Sequence, residues 1–149
     1  MKIAIASDHA GVSTKLILVA HLKATRHEVV DFGTDSDVSV DYTDFIRPAA
    51  VAVASGKASL GIVLGGSGNG EAIAANKVKG IRCAVCWNEE SARLAKEHND
   101  ANMIAIGERM IDRNDAVVIV DAWLNAKFAG GRHQQRIDKI EQDAEQDAG

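Results

Sequence analysis

Short, unbroken apolar runs alternate with longer amphipathic stretches along this chain, at residues 3–6, 29–30, 60–64, 83–86 and 103–106. A run without period-two alternation is typical of a strand covered on both faces, as in a parallel sheet. Strands that alternate with helices predict an α/β fold with right-handed crossovers. We therefore expect five parallel strands in one sheet. Because no repeat or linker interrupts the pattern, we expect a single domain over residues 1–149.

Between the runs, the apolar spacing predicts helices. In the first of them Val12, Leu16, Val19 and Ala20 fall on one face, which we expect to be buried. Further helices are predicted over 45–54, 72–76, 91–98 and around a stripe of Val117, Val120 and Leu124.

The C-terminal segment follows a break at Gly130-Gly131 and is predicted as a charged helix over 132–148. Ile137, Ile140 and Ala144 form a narrow apolar stripe along it. A stripe at a chain terminus packs on its own domain, packs on a second subunit or frays. We expect this helix to pack on a partner subunit.

Composition narrows the classes of function. Hydrophobic residues make up 46% of the chain and charged residues 26%, which is typical of a globular protein in water. The net charge of −4 argues against a nucleic-acid partner, since DNA- and RNA-binding domains usually carry a basic excess. No apolar run approaches the ~18 residues of a membrane helix, and the N-terminus lacks a signal-peptide layout. We therefore expect a cytoplasmic protein without a membrane partner.

The strongest functional signal is the stretch GGSGNGE at residues 65–71, between a predicted strand and a predicted helix. Ligands of open α/β sheets bind at the carboxyl ends of the strands. Glycines let the backbone approach a ligand closely, so the amides of this loop and the helix N-terminus could converge on an anion. The alternative is a tight turn without a ligand, which four glycines in six residues disfavour.

Glu71 stands where a phosphate-binding loop would carry lysine, and the glycine spacing does not match the dinucleotide pattern G-x-G-x-x-G. A carboxylate there would repel nucleotide phosphates, but it suits a general base beside an oxyanion hole. Because a helix N-terminus favours an ionised carboxylate, we expect Glu71 to be ionised and ready to accept a proton at neutral pH.

Two further pairs of polar residues lie at element ends. Asp8 and His9 follow the first predicted strand and can both transfer protons, although the spacing equally suits Asp8 as a helix cap. His98 and Asn99 end the helix before the fifth strand, where a lone histidine can simply complement the helix C-terminus.

Three arginines are candidates for binding an anion. Arg109 follows the fifth predicted strand, and Arg132 and Arg136 lie four residues apart on one face of the last predicted helix. Guanidinium groups placed in this way could grip a phosphate. Solvation at the surface is the alternative for each of them.

Cys83 and Cys86 match C-x-x-C, but in a strand residues three apart point to opposite faces. They are therefore poorly placed to form a disulfide or share a metal, and no second cysteine pair completes a zinc site. We expect two buried core thiols that lie away from the glycine-rich loop.

Five motifs, in this order, resemble type B ribose-5-phosphate isomerase, whose wider family includes galactose-6-phosphate isomerase. They are residues 7–11 (SDHAG), 65–77, 97–100 (EHND), 107–109 (GER) and 132–136 (RHQQR). The resemblance runs from Met1 to about Ile140. It implies a Rossmann-like three-layer sandwich and aldose–ketose isomerisation of a sugar phosphate through a cis-enediol. It also implies no metal or other cofactor, and active sites shared between the subunits of a homodimer, with a tetramer as the alternative.

Many members of that family carry a catalytic cysteine at the first position of the loop, where this chain has Gly65. The chain resembles instead the branch in which the glutamate after the loop, Glu71, is the base. The family pattern implies supporting roles in ring opening for Ser67 and Asp8, and an acid/base role at the ring oxygen for His98.

The same pattern implies the groups that bind the substrate. The loop amides would bind the enediolate oxygen. One histidine and three arginines, some of them from the neighbouring subunit, would bind the phosphate. The loop residues are Gly66, Gly68, Asn69 and Gly70, and the phosphate-binding residues are His9, Arg109, Arg132 and Arg136. Asn99 is implied as a further substrate-binding residue.

The leading function is therefore interconversion of ribose 5-phosphate and ribulose 5-phosphate. Isomerisation of erythrulose 4-phosphate, allose 6-phosphate or galactose 6-phosphate stays open, because the motifs are not specific for the sugar. A nucleotide-binding regulatory module is the alternative from another class, but the chain lacks a phosphate-loop lysine and a dinucleotide pattern. A noncatalytic assembly protein is disfavoured by the glycine-rich loop and its charged neighbours.

Overall fold

A five-stranded sheet forms the centre of the molecule. The computed structural model describes residues 1–142, and all the strands in them run parallel, in the order β2-β1-β3-β5-β4. The expected parallel α/β sheet is thus confirmed. The strands are β1 (Lys2–Ser7), β2 (Glu28–Asp31), β3 (Leu60–Gly65), β4 (Cys83–Val85) and β5 (Met103–Gly107).

Helices cover both faces of the sheet and produce three layers. One core cluster joins the sheet to α1, α4 and α5, and the other joins it to α2 and α3. None of the helices within residues 1–142 is long and apolar enough to cross a membrane. The helices are α1 (Val12–Ala24), α2 (Thr43–Ala54), α3 (Asn69–Asn76), α4 (Glu89–Asn99), α5 (Arg113–Asn125) and α6 (Arg132–Ile140), with short 3-10 helices at His9–Gly11 and Glu108–Met110.

The adjacent strands β1 and β3 lead to opposite faces of the sheet. Ser7 pairs with Leu64 at their carboxyl ends. The chain then continues from β1 into α1 on one face and from β3 into α3 on the other. In an open α/β sheet such a divergence leaves a crevice at the carboxyl ends of the two strands, where ligands bind.

The buried face of α1 differs from the expected one. Leu16 is 59% exposed, whereas Lys15 and Leu18 are fully buried. The cause is Lys15, whose ammonium group donates hydrogen bonds to the Asp31 carboxylate at 2.7 and 3.0 Å and to the Thr34 carbonyl at 2.6 Å. Because its ammonium group is paired with a carboxylate and a carbonyl inside the fold, Lys15 is buried, although hydropathy alone assigns a lysine to the surface.

The C-terminal helix α6 covers Arg132–Ile140, and Glu141 and Gln142 are not helical. Residues 143–148 of the predicted helix lie outside the described residues. Within the described part, α6 packs on α4 of its own chain, with His133 and Ile137 buried and Ile140 60% exposed. Packing on a partner subunit stays a prediction.

We expect Lys15→Met to lower the free energy of unfolding by about 1.5–3 kcal/mol, the usual contribution of a hydrogen bond to a charged group. The substitution leaves the Thr34 carbonyl without its donor and the Asp31 carboxylate without its cation. Urea unfolding followed by circular dichroism measures the change.

Lys2→Met is the matched control, because the Lys2–Glu28 pair is 3.5 Å apart and exposed. An exposed ion pair contributes less than about 1 kcal/mol. Equal losses in the two variants would contradict the importance of the buried ammonium group.

Candidate active site

The glycine-rich loop joins β3 to α3 at the carboxyl edge of the sheet. Gly68 lies just before α3 with a φ of +82°, a conformation that favours glycine. The Ser67 hydroxyl oxygen accepts a hydrogen bond from the Asn69 amide at 3.2 Å. The loop leans on the end of β5, where a side chain on Gly107 would clash with the Ser67 backbone. Its amides are thus held above the ends of β3 and β5.

Glu71 lies in the first turn of α3 and is only 4% exposed. A Cβ atom on Gly65 would overlap the Glu71 carboxylate. The carboxylate therefore fills the space beside the last residue of β3, directly under the glycine-rich loop. A side chain at position 65 and a glutamate in this rotamer exclude one another.

Asp8 forms the helix cap that its spacing allowed, and it also lies buried near Glu71. Its carboxylate caps the first 3-10 helix by accepting hydrogen bonds from the Ala10 and Gly11 amides at 2.8 and 3.1 Å. The same buried side chain lies within hydrogen-bonding reach of Glu71. The capping interaction thus fixes a second carboxyl group beside the first.

The pKa of Glu71 is raised above its ordinary value, the opposite direction to the effect expected from a helix N-terminus. Burial is the largest cause, followed by the negative charge of Asp8 and the hydrogen bond between the two side chains. A hydrogen bond from the Glu71 backbone acts in the opposite direction without reversing the shift. Removal of water therefore outweighs the helix N-terminus at this position.

His9 and Arg109 flank the loop at the same edge. The His9 Nδ1 atom accepts a hydrogen bond from the Val40 amide at 3.2 Å, which leaves its Nε2–H free to donate. The Arg109 amide donates to the Gly66 carbonyl at 3.0 Å, and its guanidinium lies beside Gly66. Both side chains are placed to meet a negative group bound at the loop.

The fold separates His98 and Asn99 from this group. Helix α4 runs antiparallel to the strands, so its C-terminal end lies at the amino edge of the sheet, where the Asn102 carbonyl accepts from the Gly61 amide. Glu71 follows the other end of β3, a strand of six residues that spans about 20 Å. Within one chain His98 is therefore out of reach of Glu71.

His98 and Asn99 belong instead to a second group, with Arg132 and Arg136 of α6. The His98 ring stacks on the His133 ring, with centroids 4.4 Å apart. Both arginines are exposed on α6. The predicted site residues thus form two clusters at opposite edges of the sheet, the carboxyl-edge cluster around Glu71 and the amino-edge cluster around His98.

The two cysteines are buried and free, and they lie in the core clusters on opposite faces of the sheet, as expected. The expectation that both lie away from the loop is wrong for Cys86, which lines a cavity of about 170 Å³ together with Ser67 and Asn69. Burial raises the pKa of the Cys86 thiol to about 12, so it stays protonated at neutral pH. The end of β4 therefore lies closer to the glycine-rich loop than its apolar run in the sequence indicates.

Within residues 1–142, no three His, Cys, Asp or Glu side chains surround a common position that could hold a metal ion.

Comparison with known proteins identifies the family. Residues 3–140 match the family model described as Ribose/Galactose Isomerase. The chain belongs to the ribose/galactose isomerase family. It is 47% identical over 139 residues to ribose-5-phosphate isomerase B of Escherichia coli, which covers 93% of each protein. It is 49% identical over 140 residues to the protein of the same name from Mycobacterium leprae, covering 93% of this chain and 86% of that protein.

Solved structures of the family agree with the fold. Ribose-5-phosphate isomerase B of Clostridium thermocellum superposes with a TM-score of 0.95 at 50% identity, over all of both chains. The Mycoplasma genitalium structure, described with bound ribulose-5-phosphate, superposes with a TM-score of 0.91 at 43% identity, covering 94% of this chain and 93% of that one. The resemblance drawn from the five motifs is therefore confirmed.

Two aromatic residues near the clusters are not predicted from the sequence. A Cβ atom on Gly70 would lie 2.9 Å from the Tyr42 hydroxyl, so Tyr42 stands directly over the loop. No spacing signals it, because it comes from the long connection after β2. His133 falls inside a quoted motif, and its position four residues before buried Ile137 is the signal that could have placed it on the packed side of α6.

Glu71→Gln is expected to stabilise the fold at neutral and higher pH. A raised pKa means that folded Glu71 keeps its proton over a pH range in which the unfolded chain has lost it. Stability therefore falls as the pH rises through that range. The amide carries no such penalty, so the melting temperature of the variant should exceed that of the wild type more at about pH 8 than at about pH 5.

Thermal unfolding across this pH range measures the difference, with exposed Glu90→Gln as the control that shows no such gain. A Glu71→Gln variant less stable than the wild type at every pH would contradict the raised pKa.

Proposed function

We propose that this protein interconverts ribose 5-phosphate and ribulose 5-phosphate as a cytoplasmic homodimer, with Glu71 as the general base. The observation that carries the proposal is the buried Glu71 carboxylate in the space beside Gly65, under a loop of backbone amides. Family membership and relatives named ribose-5-phosphate isomerase B support the substrate. A relative described with bound ribulose-5-phosphate supports the ligand class.

Aldose–ketose isomerisation moves one proton from C2 to C1 and another from O2 to O1. A single base on one face of the substrate can carry the carbon-bound proton in both halves of the reaction. Glu71 suits this task because its raised pKa brings it closer to neutral pH, where a general base is most effective. Asp8, next to it, takes the proton of the anomeric hydroxyl when the furanose ring opens.

The intermediate between the two proton transfers is an enediolate, which carries negative charge on oxygen. Amides of Gly66, Gly68 and Gly70 and the N-terminus of α3 offer fixed donors for that oxygen, whereas the Asn69 amide already donates to the Ser67 hydroxyl. Ser67 lies exposed in the same loop and supports ring opening from there. C1 is reduced while C2 is oxidised within the same molecule, so the reaction needs no external redox cofactor.

The site requires a second copy of the chain. His98, the proposed acid/base at the ring oxygen, and Asn99 lie at the edge of the sheet opposite Glu71. The set of proposed site residues is complete in a dimer in which the amino-edge cluster of one copy lies against the carboxyl-edge cluster of the other. Trp87 and Met110, 60% and 67% exposed, flank the small cavity beside Ser67 and supply apolar surface for such an interface.

The same arrangement gives the phosphate its partners. His9 and Arg109 come from the copy that contributes Glu71, and Arg132 and Arg136 from the other. Guanidinium groups bind phosphate oxygens with paired, charge-assisted hydrogen bonds. Four cationic or donor groups around one phosphate hold the sugar in a single orientation beneath the loop.

A substrate panel tests the proposed function. The purified protein should convert ribose 5-phosphate to ribulose 5-phosphate faster than it converts the four- and six-carbon sugar phosphates, as followed by nuclear magnetic resonance. Isomerisation of erythrulose 4-phosphate, allose 6-phosphate or galactose 6-phosphate with a higher kcat/KM would reassign the substrate. Thermal stabilisation by ATP without any isomerisation would point to a nucleotide-binding module instead.

Mixed dimers test the shared site. Glu71→Gln and His98→Asn are each expected to be nearly inactive, but a heterodimer of the two contains one site with both native residues. Random reassortment should therefore restore about a quarter of the wild-type activity, because half of the dimers are mixed and each has one intact site. Activity that stays at the level of the single variants would contradict sites built from two copies.

A further inference from the structure

The stacked histidine pair ties α6 to α4 at the place where His98 is held. The two imidazole planes are 12° apart, with ring centroids at 4.4 Å. His133 is 9% exposed, whereas His98 is only partly buried and keeps an open edge. Stacking of the two rings limits rotation of the His98 ring about its Cβ–Cγ bond. The direction of its nitrogen atoms therefore depends on His133.

Both helices are anchored independently of the stack. The Arg82 guanidinium donates to the Asn99 and Asp100 carbonyls at 2.9 Å and pairs with Glu141, just beyond α6, at 2.6 Å. The Ala129 amide, before α6, donates to the Glu97 carbonyl at 2.9 Å. Because hydrogen bonds flank α6 at both ends, the ring contact is set by the backbone of the two helices.

The surroundings of His133 favour its neutral form. Burial lowers its pKa first, and the neighbouring charges of His98, Arg132 and Arg136 lower it further. A neutral ring can lie against His98 without repelling the protonated form of that side chain. His133 is thus suited to hold its neighbour and poorly suited to exchange protons itself.

We propose that His133 is a positioning residue that orients His98 for proton transfer at the ring oxygen of the sugar phosphate bound to the second copy. The inference rests on the proposed function. His133 acts only through His98 and does not touch the substrate. It therefore serves ring opening and not the later transfer of the carbon-bound proton by Glu71.

Two reactions separate these steps. Ribose 5-phosphate is largely a furanose and has to be opened before it isomerises. Ribulose 5-phosphate is an open chain, because its phosphate blocks the hydroxyl that would close a five-membered ring. Exchange of its C1 hydrogen with deuterated water needs Glu71 and the loop amides, but no ring opening.

We expect His133→Ala to lower kcat/KM for ribose 5-phosphate by about ten- to a hundred-fold, the usual effect of a misplaced catalytic group. The rate of C1 exchange in ribulose 5-phosphate should stay close to that of the wild type. His133→Phe keeps a flat ring against His98 and should restore most of the isomerisation. Nuclear magnetic resonance in deuterated water measures both reactions.

Ile137→Ala is the matched control, because it loosens the same buried face of α6 without removing the stacked ring. Equal losses of isomerisation and exchange in His133→Ala would overturn the proposal, as would a selective loss of the same size in Ile137→Ala. A His133→Phe variant as impaired as His133→Ala would show that ring stacking is not the contact that matters. A wild-type protein that exchanges neither substrate would instead refute the proposed function.

Discussion

The absence of a side chain at Gly65 gives the Glu71 carboxylate its place. A Cβ atom there would overlap that carboxylate, so Glu71 can hold this rotamer only while position 65 has no side chain. Once inside this space, the carboxylate loses water, lies beside Asp8 and comes under the amides of the loop. The absence of a Cβ atom at Gly65 thus allows the position in which the Glu71 carboxylate is close to Asp8 and to the loop amides and has a raised pKa.

The parallel sheet imposes the second constraint. Loops after parallel strands meet at the carboxyl edge, whereas the helix ends that precede the strands meet at the amino edge. The proposed base and the proposed acid lie on opposite edges, about one strand length apart. With the proposed roles, a single chain holds only part of each site, which is why the proposed function includes a second copy.

Continuous apolar runs were sufficient to predict the five strands, and the glycine-rich loop was sufficient to locate the carboxyl-edge cluster. The buried face of α1 was not predictable from hydropathy, because it depends on a lysine that pairs with Asp31 from a distant strand. The direction of the Glu71 pKa depends on burial, which a motif does not report. The separation of His98 from Glu71 was in principle readable, since a helix between parallel strands must run antiparallel to them.

The most direct test of the central claim is hydrogen exchange at C2 of ribose 5-phosphate in deuterated water by Glu71→Gln. The amide keeps the size of the side chain but removes its basic oxygen, so exchange should be lost and kcat should fall by about 10²–10⁴-fold. The inhibition constant for inorganic phosphate should stay unchanged, because the side chains proposed to bind phosphate belong to other residues. A variant that still exchanges C2 hydrogen at nearly the wild-type rate would contradict Glu71 as the base.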